Sequence, residues 1–125
     1  MPPAPENVRR GDIFWVRLDP TEGAEQAKTR PCLVVSNEAI HHMKIAIVVP
    51  LSSRNKPLRA HRINIPEAEK VMEPGTNGAP GDSLVLTHQI RCVSMDRFDD
   101  KRVAHVTPVA LGAVGAALNY VLRLP

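Results

Sequence analysis

Aromatic side chains are scarce: Phe14, Trp15, Phe98 and Tyr120 are all that 125 residues contain. So few π-faces argue against the stacking platforms of many single-strand binders, and leave cations and backbone groups to hold any nucleic acid. Cysteine is rarer still. Cys32 and Cys92 have no second Cys or His at zinc-ligand spacing, so both are expected to be buried free thiols. His41, His42, His61, His88 and His105 form no HxH or HxxxH pair, and no metal or cofactor is expected. Clustered acids for two metal ions, GxSxG, a P-loop, GxGxxG after a strand and CxxC are missing too, which disfavours most large enzyme classes. No apolar run approaches the ~20 residues of a membrane span. The amino end has neither the apolar stretch nor the cleavage pattern of a secretory leader, and the expectation is a cytoplasmic chain.

What is present suits one domain. With 43% hydrophobic and 23% charged residues, the composition is globular, and a fold of this size buries roughly two-thirds of its unfolded surface. The net charge of +3 permits an anionic partner without identifying one. Residues 1–8, Pro-rich and polar, are expected to form a flexible tail ahead of a single domain over 9–125. Ile13-Phe14-Trp15-Val16-Arg17-Leu18 is apolar on both alternating faces, as a strand buried on two sides would be. Further strand character lies in 32–36, in 45–51 (where Pro50 predicts an edge or an ending strand), in 61–65, in 83–87 and in 89–93. Pro74 to Gly81 is almost pure turn chemistry. Thr107 can cap a helix that has Pro108 at its first position and continues over 109–122, with Leu111, Val114, Leu118 and Val121 as its core face. Gly112 and Gly115 predict another backbone packed close, with a second subunit as one candidate for it. Short strands with one terminal helix and no βαβ alternation predict a mainly β fold, a small barrel with helical cover.

Two segments could carry chemistry. Residues 19–31 are too long for a tight hairpin and are dense in polar groups. Within them Arg30 is singled out, because Pro31 biases it toward extended geometry and a guanidinium fork at a strand entrance suits a phosphate. The second segment, residues 52–62, holds five basic side chains and no acid. Composition alone leaves open a solubilising hairpin or a phosphodiester-binding loop. Ser52 follows a buried strand and is therefore fixed in place. His88, between two strand pieces, is a candidate proton carrier, although a satisfied surface histidine is the commoner case.

Arg10-Gly11-Asp12-Ile13-Phe14-Trp15-Val16, Leu18-Asp19-Pro20, Gly23-Ala24-Glu25-Gln26 and Arg30-Pro31-Cys32-Leu33-Val34-Val35-Ser36-Asn37 occur in order. Val49-Pro50-Leu51-Ser52-Ser53, Asp82 to Leu86 and Gln89-Ile90-Arg91-Cys92-Val93 follow. This combination resembles the MazF/PemK/Kid toxins of bacterial toxin-antitoxin pairs over nearly the whole chain after residue 8. The resemblance implies an SH3-like barrel of the PemK/Kid/CcdB kind, homodimeric, acting as a metal-independent endoribonuclease on single-stranded RNA at short motifs. Such enzymes leave a 2′,3′-cyclic phosphate and a 5′-hydroxyl and are held in check by a cognate MazE-like antitoxin. The resemblance places catalysis on Arg30 and Ser52, with His88 where relatives often have an acid and Ser52 where many have threonine. RNA contacts would come from Glu25, Gln26, Lys28, Ser53, Arg54, Lys56, Arg59 and Gln89. A CcdB-like binder of a topoisomerase and an RNA-binding barrel without activity are the alternatives.

Overall fold

A computed structural model describes residues 1–53, 57–76 and 81–125. Its strands form where β-branched and aromatic residues concentrate: β1 (Asp12–Arg17), β2 (Thr29–Val34), β3 (Ile45–Ser52), β4 (Arg62–Ile65), β5 (Lys70–Met72), β6 (Ser83–Leu86), β7 (Arg91–Ser94) and β8 (Ala104–Val106). One α-helix, α1 (Pro108–Leu122), closes the chain. The strands pair antiparallel in the spatial order β4-β6-β3-β2-β1-β8-β5, with β7 also on β3, giving a nearly closed barrel. Gly11 makes the entry to β1 possible, since its φ of 96° is open only to glycine.

Strand β3 is the pivot. One edge pairs with β2, while the other pairs with β7 at residues 45–48 and with β6 at Leu51 and Ser52. Pro50 therefore lies inside a central strand, not at an edge. It falls in the interval where the second edge changes partners, a break in the ladder that tolerates a missing N–H.

The alternation of β1 gives each sheet face an apolar cluster. Ile13, Leu33 and Val49 share a rung on the inner face, which Leu51, Val85 and α1 complete. Phe14, Cys32, Val34 and Val48 face the other way and are covered by Val8, Leu18, Met95 and Phe98. Each fully buried Val, Leu, Ile or Phe stabilises the fold by roughly 1.5–3 kcal/mol relative to exposure.

The second cluster reaches into residues 1–8. Val8 is buried, a 3-10 turn spans Pro5–Asn7, and the Val8 carbonyl lies 2.8 Å from Nδ1 of the buried His41. A carbonyl only accepts, so that nitrogen carries the proton. In the neutral ring Nε2 then accepts from Ser36 Oγ at 2.6 Å, and the same oxygen accepts the Ile47 N–H at 3.0 Å.

Helix α1 begins as expected, with Thr107 Oγ1 accepting the Ala110 N–H at 3.3 Å and Pro108 at the first position. Its seat differs. Ala110, Val114 and Ala117 are buried, and Leu111 and Leu118 flank them. The close approach is supplied by alanines, so the glycines are not needed for it. A Cβ at Gly112 would meet nothing within 4 Å, and at Gly115 only the Arg10 guanidinium at 3.9 Å.

Candidate active site

The site is built where the outer apolar face runs out. On β2 the side chains of Val34, Cys32 and Arg30 follow one another on one face, so the strand carries the apolar cluster outward to a half-buried guanidinium. Arg30 faces Val16 on β1, and its Nε–H donates to the Ala27 carbonyl at 3.0 Å. Cys32 pairs with Pro50 at the last rung of the β2–β3 ladder, so Arg30 and Ser52 each lie two residues beyond it. Ser52 itself is buried at the end of β3, opposite Leu84.

Burial pushes the Cys32 thiol up to about 12, against the opposing pull of the Arg91 and Arg30 cations on either side. Arg91, opposite Val48 on β7, thus shares the face of Arg30. It lines a cleft of ≈ 200 Å³ together with Glu25, Gln26, Pro50, His88, Gln89 and Ile90. The sequence reading did not assign Arg91. Arg91 stands on the outer face of β7, two residues before the buried Val93.

The loop from β1 to β2 forms the cleft's other wall. Gln26 N–H donates to Gln89 Oε1 at 3.2 Å, and Gln89 Nε2 donates to the Ala24 carbonyl at 3.1 Å. Glu25 is exposed, and its carboxylate accepts the Glu22 N–H at 2.9 Å. Lys28, exposed with φ of 68°, turns its carbonyl to accept the Leu18 N–H at 2.8 Å. His88 stands in a 3-10 turn, Thr87–Gln89, edge-on to His61 with ring centroids 4.6 Å apart.

Five predicted residues thus come together around the cleft or are bonded to its loop: Glu25, Gln26, Arg30, His88 and Gln89. Ser53 and Arg59 are exposed outside it, and the Arg59 Nη1 donates to the neighbouring Leu58 carbonyl at 2.9 Å. Arg54 and Lys56 lie outside the described residues, as do positions 77–80 of the expected turn. Cys92 departs from expectation, being exposed, because its position on β7 alternates with that of the buried Val93. A larger hollow of ≈ 630 Å³ lies at the amino-terminal turn. Its Glu38 carboxylate already accepts the Arg10 N–H, and Arg10 donates to the Val35 carbonyl.

Among the described residues, no group of three or more His, Cys, Asp or Glu is placed to hold a metal ion, and no helix is long and apolar enough to cross a membrane.

Comparison with known proteins fits this geometry. The chain is 29% identical over 118 residues to the endoribonuclease EndoA of Bacillus subtilis, covering 94% of this chain and 96% of that protein. It is 27% identical over 117 residues to the endoribonuclease MazF of Staphylococcus saprophyticus, covering 94% and 92%. The fold is that of the crystal structure of MazF from Deinococcus radiodurans, with a TM-score of 0.70, 24% identity and 94% and 97% of the two chains covered. It is also that of a mycobacterial endoribonuclease in complex with its cognate antitoxin, with a TM-score of 0.67, 22% identity and coverage of 94% and 97%. The family described as PemK-like, MazF-like toxin of type II toxin-antitoxin system matches residues 9–122, and the chain belongs to it.

Proposed function

We propose that this chain is an endoribonuclease toxin that cuts single-stranded RNA at short motifs without a metal ion, leaving a 2′,3′-cyclic phosphate and a 5′-hydroxyl. The observation that carries the reading is Arg30: half-buried, its side chain bonded among the described residues only to a carbonyl, and, like the buried hydroxyl of Ser52, two residues beyond the Cys32–Pro50 pair of β2 and β3. The ribose 2′-oxygen attacks its own phosphorus, the bond to the 5′-oxygen breaks, and one proton passes from the first oxygen to the second. Arg30 stabilises the charge that builds on phosphorus and is not the base. Ser52 donates a hydrogen bond to a phosphoryl oxygen. His88, at the cleft, or a water carries the proton.

RNA enters the cleft lined by Glu25 and Gln26, and Lys28, Ser53, Arg54, Lys56 and Arg59 are its further contacts. Base edges met by this loop set the motif. In the cell an acidic, partly disordered antitoxin occupies the same basic track, a reading supported by the antitoxin complex of the mycobacterial relative. The chain acts as a cytoplasmic homodimer. In support, α1 carries no charged residue from 108 to 122 and leaves Val109 and Tyr120 75% and 65% exposed.

The test is incubation of purified protein with a long unstructured RNA in excess EDTA, followed by end-group analysis. Fragments with 2′,3′-cyclic phosphate and 5′-hydroxyl ends are expected. Cleavage that stops in EDTA refutes the metal-free mechanism, and no cleavage under any condition refutes the nuclease.

A further inference from the structure

Residues 89–97 tie down the β1–β2 loop at both its foot and its tip. At the foot, Arg97 Nη1 donates to the carbonyls of Arg17 at 3.0 Å and Asp19 at 2.6 Å, and Arg91 Nη1 donates to that of Leu18 at 3.1 Å. At the tip, both ends of one amide are engaged. Gln89 Oε1 accepts the Gln26 N–H while Nε2 donates to the Ala24 carbonyl, and a flipped amide would set donor against donor in one contact and acceptor against acceptor in the other. Next in the chain is Ala27, whose carbonyl accepts the Arg30 Nε–H. An irregular segment keeps one shape only where its backbone groups find partners.

We propose that Gln89 is a positioning residue for Arg30: by holding Ala24 and Gln26 it fixes the Ala27 carbonyl on which the Arg30 guanidinium is anchored. The proposal rests on the endoribonuclease reading for the use made of Arg30. It replaces the expectation of Gln89 as an RNA contact with a role exercised through the loop.

The test compares the full chain with Gln89→Ala and Gln89→Glu. Three quantities are read: the thermal midpoint, the water-exchange rate of the Arg30 Nε–H signal in ¹⁵N spectra (assigned with Arg30→Lys), and the steady-state constants for RNA cleavage. In Gln89→Ala the Arg30 signal should exchange several-fold faster at an unchanged midpoint, and kcat should fall about tenfold with KM moving less than about twofold. Gln89→Glu should be intermediate, since a carboxylate still accepts from Gln26 but cannot donate to Ala24. An unchanged Arg30 exchange rate overturns the proposal. So does a raised KM with kcat intact, which would mark Gln89 as a direct RNA contact, and so does a fall in midpoint that accounts for the lost activity. If the parent chain cuts no RNA, the endoribonuclease reading fails separately, and the exchange rate alone decides whether Gln89 holds Arg30.

Discussion

Arg102 and Arg30 are the same side chain put to opposite uses. Arg102 Nη1 meets the buried Asp12 carboxylate at 3.2 Å, while Nε at 2.8 Å and Nη2 reach the Glu73 carboxylate. Its charge is answered within the fold and ties β1 to the end of β5. Arg30 is answered by a carbonyl, and among the described residues no carboxylate lies within ion-pair distance of it or of Arg91. A dipole orients a guanidinium without neutralising it, so the field of Arg30 is left for a visiting anion. The contrast separates a cation matched by carboxylates within the barrel from one that, among the described residues, meets only a carbonyl.

Removing each arginine is the most direct way to break the contrast. Arg30→Ala should abolish RNA cleavage, a loss of more than about 10³-fold, with the thermal midpoint unmoved. Arg30→Lys should restore only part of it, because a point charge lacks the planar fork. Near-normal turnover in folded Arg30→Ala would remove Arg30 from the centre. Ser52→Ala should slow cutting about 10² to 10³-fold, as loss of one oxyanion donor does, while Ser52→Thr keeps the hydroxyl and is tolerated. Normal cutting by Ser52→Ala together with a dead Ser53→Ala would place the site one residue further on.

Arg102→Met should do the reverse, leaving cutting intact and lowering stability by about 1–3 kcal/mol in urea titrations, because a buried carboxylate loses a charged partner. The pH dependence sharpens this. Burial raises the Asp12 carboxyl above its ordinary 3.8, against the pull of its Arg9 and Arg102 hydrogen bonds. The folded chain then binds this proton more tightly than the unfolded one, so the contribution of Asp12 to stability falls as pH rises from 3.8 through the folded value. Without Arg102 that fall is steeper, and the variant's deficit should be larger at pH 7 than at pH 4. A pH-independent deficit would mean that Arg102 contributes packing alone.

How much of this was legible before the structure follows from range. The two-faced strand at Ile13 to Val16, the Thr107 cap and the mainly β class are local patterns, and all are seen. Strands β5 and β8, three residues each, are too short for alternation to declare itself; pairing of Val71 with His105 makes them strands. Val8 could not be read as core because its cover is built by Phe14, Met95 and Phe98, far apart in sequence. In the site, Arg30 was visible through the Arg-Pro step. Arg91 and the engagement of Gln89 with the loop were not, since each depends on contacts more than sixty residues away.

The smallest effect probes the ground beneath Arg30. If the outer apolar cluster is sealed up to that residue, Cys32 is dry, and a thiol near 12 leaves a thiolate fraction of about 10⁻⁴ at pH 8. Cys92, exposed on β7, has no such protection. A thiol-exchange reagent at pH 8 should therefore titrate one cysteine per native chain rapidly and the second only on unfolding. Peptide mapping should place the label on Cys92. Arg30→Ala removes a cation that favours the thiolate, so Cys32 should stay as slow as in the parent or slower, unless water enters from above. A native chain that releases two equivalents at once would show that the sheet is open beneath Arg30, and the distinction between a cation seated on a dry floor and one held inside the fold would collapse.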